Sequence, residues 1–242
     1  MKKLILICLL VSAVYTVYSQ RGDKTWFNVT FKSGFGSSLW INNNFIDDDN
    51  IKYKNFNVCY PLAGQVGINF DNGFGVAVEV MSTHHGQKFE ITPEQPFTPY
   101  EKKLVIKSFD QLVLIRSVGE KGGYFEAGPR LSQVKNLIIE NEPDQNNASE
   151  LGSIDDYQDT NIGILFGFGG SFYFHDLYDI SFGLRVNYTI SNIMEGEEYP
   201  IKDAIYNPDF GLYATTNPLI VQLVLSLSWH FRYVDSSKTS LE

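Results

Sequence analysis

Cysteine is almost missing from this chain. Cys8 lies in the N-terminal leader and Cys59 stands alone after it, so no internal disulfide framework can hold the fold. The four histidines show no zinc spacing, and no stretch has the ligand spacing of an EF-hand. A basic face is lacking as well: 19 Lys and Arg stand against 28 Asp and Glu, a net charge of −9. That balance argues against nucleic acid, whose phosphates demand cations. Beyond the leader no run approaches the roughly 18 consecutive apolar residues of a transmembrane helix. The longest, Leu219 to Leu227, is broken by Gln222 and Ser226. No repeat of solenoid length appears, and no linker divides the chain beyond the leader.

What is present begins with an export signal. MKKLILICLLVSAVYTVYSQ has Lys2 and Lys3, an apolar core from Leu4 to Val14, and Ser19 before Gln20. Cleavage is expected after Ser19, and the loss of two lysines and no acid takes the charge from −9 to −11. Cys8 lies inside the apolar core rather than after a cleavage box, so a lipoprotein anchor is not expected. The expected organisation is a signal peptide over 1–19, one all-β domain over 20–234 and a periplasmic tail over 235–242. An exported chain without a transmembrane helix is either soluble or an outer-membrane β-barrel, and the strand pattern discriminates between the two.

Eight segments alternate with period two. Phe27, Val29, Phe31 and Phe35 alternate with Asn28, Thr30, Lys32 and Gly34; Val66 and Ile68 with Gln65, Gly67 and Asn69; Val76, Val78 and Val80 with Ala77 and Glu79. FDQLVLIRSVGEKGGYFEAGPRLSQV, residues 109–134, supplies the fourth and fifth segments. NIGILFGFGGSFYF, SFGLRVNYTI and LIVQLVLSLSWHFRY supply the last three. The connections alternate too. Asp71-Asn72-Gly73, roughly 118–123, and His175 to Asp179 are short, whereas roughly 36–55, 85–102, 135–160 and 192–217 are long and polar. Short periplasmic turns and long extracellular loops are the rule of membrane barrels. A soluble lipocalin-like barrel would need more Lys and Glu on its outer face than these Gly- and Ser-rich phases provide. The fold expected is therefore all-β: an eight-stranded antiparallel transmembrane β-barrel with four long extracellular loops, in the outer membrane of a Gram-negative bacterium with both termini periplasmic.

The charges within the strands then face a narrow interior. Folding residues 109–134 about residue 121 sets Arg116 opposite Glu126 and Asp110 diagonal to Arg130. Folding about Asn72 sets Glu79 opposite Gln65, and folding about residue 177 sets Arg185 opposite Gly169, beside Gly167, where the missing side chains leave room for a guanidinium. Glu79, Asp110, Arg116, Glu126, Arg130 and Arg185 are expected to pair as a structural polar plug, because an isolated buried charge is costly. A proton or ion path through the plug is the functional alternative.

The hairpin of residues 109–134 resembles the paired strands of PorT-like outer-membrane barrels of the Bacteroidota, in which a strand of type E-x-P-L-L-L-K precedes a turn and Y-L-E-A-G-P. Asp110 stands for the acid, Arg116 for the Lys, and Tyr124 to Pro129 match closely. NIGILFGFGGSFYF and SFGLRVNYTISNI are similar to the family's G-L-x-x-G-x-G and L-G-L-R-Y-N-Y-x-x-x-N-I strands, and Leu225 to Tyr233 to its closing strand. Leu112 replaces the usual Pro, and VDSSKTSLE runs past the customary aromatic end. The resemblance implies an eight-stranded outer-membrane barrel, and the family's named member is implicated in type IX protein secretion.

Other chemistry is thinner. Ser82 and His84 share one face at the outer end of the third strand, with His85 beside them and Glu90 as a candidate acid, which suggests a lipid A hydrolase or acyltransferase. A Ser–His pair also needs an orienting acid and an oxyanion site. Asp47-Asp48-Asp49 and the acids of 140–159 could bind divalent cations; Arg21-Gly22-Asp23 is a short, common string at the expected periplasmic terminus, which argues against adhesion through it, and a surface adhesin remains a third reading. GFGG at 167–170 is strand glycine rather than a phosphate loop, because no helix pattern comes after it. The reading carried forward is a non-enzymatic barrel, without metal or cofactor, serving as an accessory component of an outer-membrane complex. Its expected partners are outer-membrane lipid, lipopolysaccharide and other proteins.

Overall fold

A computed structural model of the chain describes residues 25–42, 46, 51–54, 57–70, 73–92, 99–119, 122–142, 158–175, 178–193 and 215–232. The expected signal peptide and tail, Arg21-Gly22-Asp23, Asp47-Asp48-Asp49 and most of 192–217 lie outside them.

The described residues form nine strands: β1 (Trp26–Ile41), β2 (Ile51–Lys54), β3 (Asn57–Asn69), β4 (Phe74–Ile91), β5 (Tyr100–Val118), β6 (Gly123–Glu142), β7 (Thr160–His175), β8 (Tyr178–Thr189) and β9 (Asn217–Arg232). All pairings are antiparallel, and β1–β3–β4–β5–β6–β7–β8–β9 closes on itself because β1 pairs with β9 and β4 with β5. The result is an eight-stranded barrel. Closure leaves the ring without an edge, as a sheet surrounded by lipid must be, since nothing in hydrocarbon can satisfy an unpaired N–H or C=O.

Alternation decides which face is which. Phe31 on β1, Leu62 on β3, Val78 on β4, Val113 on β5, Phe125 on β6, Phe168 on β7, Phe182 on β8 and Leu223 on β9 all point outward and are exposed. Val66, Ile115 and Leu131 extend the same belt. So large a continuous apolar surface is untenable in water and natural against lipid. Trp229, Phe231, Phe27 and Tyr178 gather near the short-turn end, with Trp229 packed edge-on to Phe31 at 6.1 Å. This resembles the aromatic girdle that borders a hydrocarbon layer.

Short turns set the registers. Gly73, at φ 75°, accepts the positive φ of the 70–74 turn, and Gly122, at φ 84°, does the same beside β6. About the first turn Gln65 faces Glu79, and about the second Arg116 faces Glu126. The third hairpin departs from expectation: Arg185 lies opposite Gly167, not Gly169, and the ladder shifts between Tyr173 and His175. β7 ends at His175 and β8 begins at Tyr178. The slip is two residues, so the side-chain faces are preserved.

The long connections are also shorter than composition suggests. Residues 85–91 and 100–102 continue β4 and β5 as a ladder reaching Ile91↔Tyr100, and β6 runs to Glu142. Residues 51–54 form β2, which pairs with β4 at Lys54↔Lys88 beyond the last β3–β4 pair, Tyr60↔His84. By composition this extension reads as loop because its outward residues are polar, yet inward it buries apolar residues beside His85, Gln87 and Lys102. Trp40, Phe89, Ile91, Leu104, Ile106 and Val134 form one buried cluster with Ile51 and Ile193. The apolar belt sets a first test. Val78→Arg should lower stability by about 2–4 kcal/mol, the cost of a cation near the bilayer midplane, read as a shift of the urea midpoint in lipid bilayers. A loss near zero would mean that Val78 does not face lipid.

Candidate functional site: an ion network across the barrel

Eight strands enclose an interior that their own side chains fill. Near its middle, five charges from five strands meet. Arg185 on β8 grips Glu79 on β4 bidentately, with Nη1 2.6 Å from Oε1 and Nη2 2.8 Å from Oε2. The same guanidinium donates from Nε to Glu126 Oε1 on β6 at 2.6 Å. Lys32 Nζ on β1 lies 2.8 Å from Glu79 Oε2 and 3.2 Å from Glu126 Oε2. Arg116 on β5 approaches Glu126 at 3.6 Å, and its guanidinium lies 5.7 Å from the centre of the Tyr124 ring. Planar, charge-assisted contacts of this kind are the strongest hydrogen bonds available to side chains. Here they tie opposite walls of the barrel together.

Glycine makes the room. A Cβ on Gly167 would sit 2.9 Å from Glu126 Cγ and 3.2 Å from Arg185 Cγ, so the stems of both side chains crowd a position where glycine leaves them room.

Asp110 and Arg130 belong to a second, looser group. Their closest approach is 3.7 Å, while Arg130 Nη2 donates to Thr189 Oγ1 at 2.5 Å and Thr83 Oγ1 donates to Asp110 Oδ2 at 3.2 Å. Gln222 donates to Cys59 Sγ at 3.2 Å and accepts from Asn187 at 3.1 Å. Cys59 is thus a buried hydrogen-bond partner.

The six residues expected inside, Glu79, Asp110, Arg116, Glu126, Arg130 and Arg185, are all buried on the interior face. The central network unites four of them, and Asp110 and Arg130 stand apart. Sequence reasoning passes over Lys32, although it shares its phase with Asn28 and Thr30, because a lone cation in an aromatic strand suggests no partner. Ala63, Ala77, Met81, Leu112, Leu114 and Leu165 form an apolar patch on the inner wall.

Ser82 and His84 do share a face, but it is the outer one. Ser82 lies between Leu62 and Phe109, and His84 between Tyr60 and Lys107. His85 turns the other way, buried edge-on to Trp40 at 6.4 Å. Glu90, the candidate acid, is 3.0 Å from Lys54 instead. Among the described residues no group of three or more His, Cys, Asp or Glu is placed to hold a metal ion. The extension beyond the belt carries its own ion pairs: Glu101 bonds Lys88 and lies 3.2 Å from Lys54. Those hydrogen bonds, Lys88 first, hold the Glu101 carboxyl below its usual range.

A closed ring with an apolar belt outside and charge inside defines the class: a transmembrane β-barrel of the outer-membrane type. No family model matches the sequence, and no curated protein matches it. Among solved structures, the chain is similar to the outer membrane protein OprG from Pseudomonas aeruginosa, at 8% identity over 87% of this chain and 97% of that one, with a TM-score of 0.49. It is also similar to the Neisserial surface protein A, at 12% identity over 86% of this chain and all (100%) of that one, TM-score 0.39. A third is Ail, the attachment invasion locus protein of Yersinia pestis, at 9% over 87% of this chain and 100% of that one, TM-score 0.39. The barrel assignment stands on the chain's own closed ladder rather than on these likenesses.

The network predicts its own energetics. Arg185→Met leaves Glu79 and Glu126 buried with too little positive charge, and should cost about 3–5 kcal/mol. Adding Glu79→Gln should restore part of that loss, because it removes one stranded carboxylate. Urea titration of the refolded barrels measures both. Equal stability of Arg185→Met and the parent would show that the pairs do not brace the fold.

Proposed function

We propose that this chain is a non-enzymatic small barrel of a Gram-negative outer membrane, with its termini periplasmic and its long-loop end outside. In this reading it is a structural or accessory component of an outer-membrane complex. The observation that carries the reading is how the interior is used. The central charges bond to one another across the lumen, and at the long-loop end Trp40, Phe89, Leu104 and Ile106 pack together, all of them buried. A lumen occupied by ion pairs and capped by an apolar cluster favours a closed post over a pore or a catalytic cavity, and leaves recognition to the outer surface and loops.

Ser82 and His84 are the residues an alternative lipid A-modifying activity would need. Their outward position beside Leu62, Phe109 and Tyr60 suits contact with lipid, but Glu90, the candidate acid, is engaged by Lys54. The PorT-like character of 109–134 extends the proposal to the Bacteroidota and to a complex serving type IX secretion.

Gentle-detergent capture of the tagged full chain from cross-linked cells tests the proposal. A stoichiometric membrane-protein partner is the expected result, and its loss together with unimpaired secretion in a deletion strain would overturn the reading. Two further outcomes are expected: no conductance steps from the purified barrel in planar bilayers, and an unchanged lipid A mass spectrum in the deletion strain. Altered lipid A acylation would favour the enzyme instead.

A further inference from the structure

A polar side chain surrounded by hydrocarbon has no water to bond with, so each one on a lipid-facing wall calls for a partner. Gln111 is such a side chain. It lies exposed on the outer face of β5, between Phe109 and Val113 along the strand, and opposite Val80 on β4 and Leu131 on β6. Among the described residues its amide has no hydrogen-bond partner. Gln133, one outward position higher on β6, is by contrast engaged by Lys135 at 3.1 Å.

Ser82, on the outer face of β4, is also exposed, and its hydroxyl has no partner among the described residues. Strand tilt brings it level with Gln111. The row of paired residues that leaves β5 at Phe109, through Ser82 and Leu62, comes back round the ring at Gly123, beside the short turn between β5 and β6. Rows therefore descend toward the short-turn end on passing from β5 to β4. Ser82 thus lies below Phe109, its paired residue, and near the height of Gln111.

We propose that a second copy of this chain docks on this wall, about a two-fold axis that runs along the membrane normal between β4 and β5. Each Gln111 amide then hydrogen-bonds the partner's Ser82, and symmetry makes the bond twice. An amide and a hydroxyl can each donate and accept, so the pair is complementary in either direction. That chemistry selects the occupant. Acyl chains offer nothing to bond with, and an unrelated protein would need its own polar group at this depth in hydrocarbon. A second copy already carries one. Below the polar pair, exposed Val80 comes against the partner's Val113, and both side chains are slim enough for two convex walls to approach. The inference needs the belt to face lipid, but neither the accessory complex nor the secretion role proposed above.

Energy transfer between donor- and acceptor-labelled full chains in lipid bilayers measures the association. Gln111→Leu should weaken it about tenfold, the effect of losing two hydrogen bonds of the size found within membranes. The same variant should keep or raise the urea midpoint, because it removes an exposed amide from hydrocarbon, and this separates docking from folding. When a Gln111→Cys copy and a differently tagged Ser82→Cys copy are mixed in bilayers and oxidised, they should form a disulfide-linked pair. Leu223→Cys on β9, on the opposite wall, should not cross-link. Cys59 is buried and does not compete. Energy transfer no greater than random encounter gives, undiminished association of Gln111→Leu, or equal cross-linking at Leu223→Cys would each overturn the proposal. Cross-linking of Gln111→Cys in cells to a different membrane protein, in place of a second copy, would overturn it too.

Discussion

Inside hydrocarbon every backbone N–H and C=O needs a partner within the protein, and that constraint organises this molecule. It forces β1 onto β9 and β4 onto β5, so that the sheet closes. Closure at eight strands sets the width of the interior, and that width leaves the inward side chains only one another to bond with. The charges inside these strands follow from that geometry. Lys32, Glu79, Glu126 and Arg185 come from four strands widely separated in sequence, yet each lies within hydrogen-bonding distance of another.

Three cations and two carboxylates meet at the centre, so each carboxylate is shared. Glu126 takes Arg185, Lys32 and Arg116 together. Sharing suits an interior of low dielectric, where a carboxylate with one partner lost would be far more costly than on a surface. Gly167 belongs to the same design, since the side chains of Glu126 and Arg185 crowd the place where its own would be. Toward the long-loop end lie Asp110 and Arg130 and the buried His85, Gln87 and Lys102, together with the apolar cluster of Trp40 and Phe89.

Much of this is legible in the chain itself. Period-two alternation is a local property, so it separates lipid-facing Phe31, Val78, Val113 and Phe125 from inward Glu79, Asp110, Arg116 and Glu126 without knowledge of any partner strand. Two tight turns then give the registers that set Gln65 against Glu79 and Arg116 against Glu126. The third turn misleads by two residues, because composition does not reveal where a short hairpin closes, and the slip leaves every face unchanged. The extension at 85–102 and the strand at 51–54 are hidden because outward Lys and Glu there resemble loop residues; only the inward Phe89, Ile91, Leu104 and Ile106 mark them as sheet.

Contacts across the lumen are beyond any local pattern. Alternation puts Lys32, Glu79, Glu126 and Arg185 on one face, but their meeting depends on strand order, stagger and closure around the ring. The same holds for the apolar patch of Ala63, Met81, Leu112 and Leu165, which is an interior surface only once β3, β4, β5 and β7 curve toward one another. The sequence by itself determined which face of each strand meets lipid, because side-chain direction alternates along every strand. The tertiary structure alone decided which charges neutralise which, because that pairing exists only after the ring has closed.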